Sequence, residues 1–129
     1  MEERYALVGM HDEGNRALFT RLLERNGYNI VTSNNPNHMV QLARGGSWNL
    51  VVMDSNYSTN GHDPGFGPAV DICNAYAERH SLEQGVLEVD AISSAYEGDS
   101  PRNIKNVPDC TRLTLFGKAD FRDRLMETL

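Results

Sequence analysis

A small set of polar residues carries the chemistry that this sequence can offer, and each of them stands just after an apolar run. Asp54 ends the run Asn49-Leu50-Val51-Val52-Met53. In open α/β sheets the functional crevice lies at the carboxyl ends of the strands, so an acid at that position sits where chemistry is usually done. His11 and Asp12 follow the apolar segment from Tyr5 to Met10, Ser93 and Ser94 close the segment from Val86, and Lys118 follows Leu113-Thr114-Leu115-Phe116. Carboxylates accept hydrogen bonds, hydroxyls both donate and accept, and an ammonium donates three. Taken singly these residues have plainer readings. Asp54 could cap a turn, Ser94 could do turn work, and Lys118 could be a solvated loop lysine.

What decides between the readings is whether the elements bring the residues together. Tyr5 to Met10 reads as a first strand, followed by a helix with Leu18, Phe19, Leu22 and Leu23 on one face and a stop at Gly27. Tyr28 to Thr32 reads as a second strand. The next helix opens at Asn35-Pro36, carries Met39, Val40, Leu42 and Ala43, and ends near Gly45-Gly46. The strand ending at Asp54 follows Trp48. After a glycine-rich loop, Gly67-Pro68 starts a third helix with Ile72, Cys73, Tyr76 and Ala77 inward. A fourth strand falls within 86–94, where Glu88 and Asp90 predict a strand core shorter than its apolar residues suggest, with both acids exposed or capping. Asp99-Ser100-Pro101 predicts a short fourth helix, limited by Pro108. Leu113 to Phe116 reads as the fifth strand, and Asp120 caps a last helix with Phe121, Leu125 and Leu129 inward.

Alternating strands and helices imply right-handed crossovers and a parallel sheet covered on both sides. At this size the flavodoxin-like (βα)5 arrangement, strand order 2-1-3-4-5, is the natural α/β choice. The carboxyl ends of strands 1, 3, 4 and 5 then surround one crevice. Acids, hydroxyls and a lysine converge on it from distant parts of the chain.

The chain of 129 residues suits one domain, 1–129. Its net charge of −6 and pI near 5.1 argue against nucleic acid or an anionic membrane as a direct partner. No apolar stretch approaches the roughly 20 residues needed to cross a bilayer, and Met1-Glu2-Glu3-Arg4 is not built like a secretory signal, so the expected compartment is cytoplasmic. Cys73 and Cys110 lack metal-ligand or redox-motif spacing and are expected to be buried thiols.

The sequence resembles the response-regulator receiver domain, the CheY-like family of two-component signalling. The resemblance rests on Leu50-Val51-Val52-Met53-Asp54-Ser55-Asn56, on Ser94-Ala95, on Lys118, and on the rhythm from Arg16 through Gly27-Tyr28. It implies phosphotransfer from a histidine kinase or phosphotransfer protein to Asp54. An aspartate ionised at neutral pH needs no general base, but it must approach an anionic phosphoryl group. By the same resemblance, Mg2+ would be held by a carboxylate after strand 1, taken as Asp12, by Asp54, and by the backbone carbonyl of Asn56. Lys118 would meet another phosphoryl oxygen and the Ser94 hydroxyl would donate a hydrogen bond. The output implied is a shifted two-state equilibrium of the face from strand 4 to helix 5, read by a downstream effector, with a homodimer through helix 4, strand 5 and helix 5 as an analogy.

Several positions depart from the family pattern. Its acidic pair falls on Met10 and His11, with Asp12 just beyond. The loop from Tyr57 to Gly67 is longer than the family's turn, the aromatic switch position is Leu115, and the proline after the lysine is Ala119. The alternative from another class is a pseudo-receiver, a protein-interaction module that keeps the fold and works without phosphate. A flavin binder ranks last, because His11-Asp12-Glu13-Gly14 is acidic where a flavin phosphate would sit.

Overall fold

The computed structural model describes residues 3–54, 67–81, 85–93, 102–117 and 123. Its elements run β1 (Arg4–Gly9), α1 (Glu13–Arg25), β2 (Tyr28–Ser33), α2 (Pro36–Gly45), β3 (Leu50–Asp54), α3 (Gly67–His80), β4 (Leu87–Ser93), β5 (Arg102–Ile104) and β6 (Thr111–Gly117). Local chemistry sets the helix ends. Asp12, extended at φ −73° and ψ 124°, caps α1 by accepting from the Asn15 amide, and Gly27 takes the left-handed conformation (φ 86°) past its far end. Asn35 caps α2 by accepting from the amides of Asn37 and His38, with Pro36 in the first turn. The Leu42 carbonyl accepts from the Gly46 amide at 3.1 Å and also from the indole of Trp48 at 2.9 Å, which pins the end of α2.

The strands form one six-stranded sheet in the order β2-β1-β3-β4-β6-β5. Every pairing is parallel except β5 with β6. The parallel strands thus keep the flavodoxin-like order, with β6 in the place of the expected fifth strand. One face packs against α2 and α3 through Leu7, Val51, Met53, Val89 and Leu113 against Met39, Ala43, Ile72 and Cys73. The other face packs against α1, where Ala6, Val8, Val52 and Phe116 meet Phe19 and Leu23. The alternation along each strand is what assigns these side chains to opposite faces.

Two expectations are corrected. The predicted fourth helix is absent among the described residues 102–110: Arg102–Ile104 is an antiparallel edge strand on β6, with Asn103 opposite Thr114. Pro101 and Pro108 leave room for about two helical turns, a length with little stability of its own. Ile104 instead packs on the core, and the Thr114 hydroxyl donates to the Asn103 amide oxygen at 3.2 Å. The second correction concerns β4, which runs unbroken through Glu88 and Asp90, both half-buried. Glu88 stands opposite Arg112, and their side chains meet at 3.3 Å. Asp90 stands opposite Thr114, so each acid has a polar cross-strand neighbour. The last helix, expected from Asp120, lies outside the described residues except for Asp123, which is helical.

Candidate functional site

The carboxyl edge of the sheet is built rung by rung. Gly9 pairs with Met53, so Met10 and Asp54 are the next residues along two neighbouring strands. Asp54 in turn pairs with Ile92, and Ser93 with Gly117. Val52 and Ile92 both belong to the α1-side core, so by the period of two Asp54 faces that side. Its side chain is half-buried.

Met10 extends β1, its amide donating to the Ser33 carbonyl at 3.2 Å, and it is buried among Val8, Phe19, Val52 and Ile92. A thioether therefore stands in the row beside Asp54. Burial explains this residue, since a methionine fills the corner between β1, β3 and α1 at no electrostatic cost. His11 is exposed and has no bonded partner among the described residues. Asp12 is exposed at the head of α1, with Oδ2 accepting from the Asn15 amide at 2.8 Å. Among the described residues no donor bonds its other oxygen.

Arg16 entered the sequence reading only as part of the rhythm of the first helix and was given no role at the site. It is half-buried in the first turns of α1, and its Nη1 donates to the Met10 carbonyl at 2.9 Å. The signal was present: a helix N-terminus favours anions, so a cation there calls for a separate reason.

Of the remaining expected site residues, Asn56, Ser94 and Lys118 lie outside the described residues, as does most of the long loop from Tyr57. Ser94 and Lys118 follow directly, in sequence, the Ser93–Gly117 rung. Leu115, at the aromatic switch position, is buried against the α2 and α3 side of the sheet. Ser33, at the end of β2, is buried and holds the ring of His38 through a 3.0 Å contact between Oγ and Nδ1.

A divalent cation can be tested against these donors. Among the described residues no group of three His, Cys, Asp or Glu side chains could hold a metal. An all-protein cage is therefore excluded for this part of the chain. Magnesium needs less, since it keeps several waters and takes one or two carboxylates. The free oxygen of Asp12 and the carboxylate of Asp54 are hard oxygen donors of that kind, and the thioether of Met10 adds nothing to them. The donor set fits a water-carrying hard cation.

No family model and no curated protein sequence matches the chain. Solved structures do match it in fold. The CheY-like receiver domain from Methylobacillus flagellatus superposes with a TM-score of 0.63 at 13% identity, covering 98% of each chain. The response regulator TrrA from Thermotoga maritima, solved with Mg2+ and BeF, gives 0.59 at 14% identity over 98% of this chain and 99% of that one. A response regulator from Burkholderia pseudomallei with a phosphorylated aspartic acid, a calcium ion and citrate gives 0.55 at 18% identity. That match covers 73% of this chain, which spans about half (49%) of the longer protein. The chain has the fold of response-regulator receiver domains. No helix among the described residues is long and apolar enough to cross a membrane.

Proposed function

We propose that this chain is a two-component receiver whose Asp54 accepts a phosphoryl group from a histidine kinase or phosphotransfer protein. The observation that carries this reading is the position of Asp54 as the last residue of β3, with the last β4–β6 rung leading straight into Ser94 and Lys118. In the transfer, the bond from phosphorus to an imidazole nitrogen breaks and a bond to an Asp54 oxygen forms. The imidazole keeps the electron pair and takes up a proton. A magnesium ion held by Asp12, Asp54 and the carbonyl of Asn56, its shell completed by waters, would offset the repulsion between carboxylate and phosphoryl group. Lys118 supplies a point charge to a phosphoryl oxygen and Ser94 a hydroxyl hydrogen bond, and the inward movement of that hydroxyl draws the segment after β4 with it. A downstream effector reads the change on a face that here includes β5 and β6, and any homodimer through that face would be built on the edge strand.

The experiment is phosphorylation by a small phosphodonor with magnesium, followed by intact mass. The expected result is one added phosphoryl group on the native chain and none on Asp54→Asn. The second reading, an interaction module that works without phosphate, draws on the apolar Met10 beside Asp54. A chain that gains no mass with any donor at any magnesium concentration would select it.

A further inference from the structure

We propose that Arg16 is a second cationic contact for the phosphoryl group on Asp54, making the transfer less dependent on the divalent cation. This rests on the reading of Asp54 as phosphoacceptor. The guanidinium bonds the carbonyl of Met10, the residue next to Asp54 in the row across β1 and β3, so the charge is tethered to the residue that flanks the acceptor. A guanidinium has five N–H donors in a planar fork suited to phosphate oxygens, and the Met10 carbonyl uses one. Arg44 and Arg112 each meet a glutamate, whereas among the described residues no carboxylate pairs with Arg16. A half-buried cation with spare donors, placed at the helix end that disfavours it, is matched by an anion arriving at the strand ends. The chemical logic is compensation: Met10 and His11 bring no carboxylate to the sheet edge, so Asp12 and Asp54 hold a cation with fewer charges.

The test compares the native chain with Arg16→Gln and Arg16→Lys, using phosphoramidate as donor, over magnesium from chelated to saturating. Glutamine keeps a polar, uncharged side chain that is two bonds shorter than the guanidinium; lysine keeps the charge and loses the fork. The expected result is a phosphorylation rate about tenfold lower for Arg16→Gln at sub-saturating magnesium, by loss of a charge-assisted hydrogen bond. The gap narrows at saturation, Arg16→Lys recovers most of the rate, and both variants melt with the native chain. An independent readout on the native protein is the Arg16 Nε–H resonance, which shifts when Asp54 becomes phosphorylated. Equal rates for Arg16→Gln and the native chain across the magnesium series, or an unmoved resonance in a phosphorylated sample, overturn the proposal. Should Arg16→Gln fail to fold, the resonance and Arg16→Lys decide. A native chain that never gains a phosphoryl group removes the phosphoacceptor reading itself, a distinct failure that takes this proposal with it.

Discussion

Asp12 caps α1, and under the proposed function the same carboxylate would also hold a cation. One oxygen satisfies the Asn15 amide at the head of α1, and the other is available to a cation. The tasks separate by substitution, because asparagine caps a helix about as well as aspartate while carrying no charge. Asp12→Ala is expected to lose about 1 kcal/mol of stability in urea denaturation, the usual cost of a missing cap. Asp12→Asn is expected to unfold with the native chain and yet require more magnesium for phosphorylation. Matching magnesium requirements in Asp12→Asn and the native chain would assign Asp12 to the helix alone. At this scale Asp54 was legible, because an acid that closes an apolar strand is conspicuous in one dimension. Arg16 was not, since its meaning lies in a carbonyl six residues earlier that only the folded turn brings to it.

The elements were legible where the pattern was local. Caps at Asn35, the left-handed Gly27 and the apolar faces of α1 and α2 follow from residues within a few positions of one another. Strand β5 did not, because a serine-proline start and a later proline describe a short helix as well as a loop. Its pairing is decided by the edge of β6, which is not local information. The acids of β4 were misjudged for the same reason, their polar neighbours being on another strand. An element can also be limited by space. A Cβ added to Gly9 would lie 2.5 Å from Sδ and Cε of Met39 and 2.8 Å from its Cγ, and Met39 is fully buried. Gly9→Ala is expected to cost about 1–3 kcal/mol by overpacking, read as a lower urea midpoint with unchanged slope. Because Gly9 shares its rung with Met53, that strain falls one residue short of Asp54.

For the molecule as a whole, alternation of strand and helix was enough to order the parallel sheet and to put Asp54 at its carboxyl edge, one residue past the Gly9–Met53 rung. What it could not supply was the sixth strand or the interior chemistry. Burial pushes the Cys73 thiol up to about 11, partly opposed by its hydrogen bond with Thr111. A group whose folded pKa is raised favours the native state fully below its unfolded value near 9.0. The contribution fades as pH climbs through the folded value, because the unfolded chain releases its proton first. Stability should therefore fall above about pH 9 by up to about 1.4 kcal/mol per pH unit from this thiol. Urea midpoints of the native chain and Cys73→Ser, compared through alkaline pH, isolate that slope; parallel curves would refute it.

The order of the strands also bears on how the protein is made. β6 is the last described strand in the chain and lies between β4 and β5, so a nascent polypeptide that has emerged only through Ile104 has an open flank on β4 and a β5 segment with nothing to lie against. Such a flank is a template for other chains, which makes this interval of synthesis the one most in need of chaperone cover. The segment that ends that exposure also leads directly into Lys118. A copy that stops before Thr111 would lack its closing strand and, with its β4 flank open, would be prone to clump.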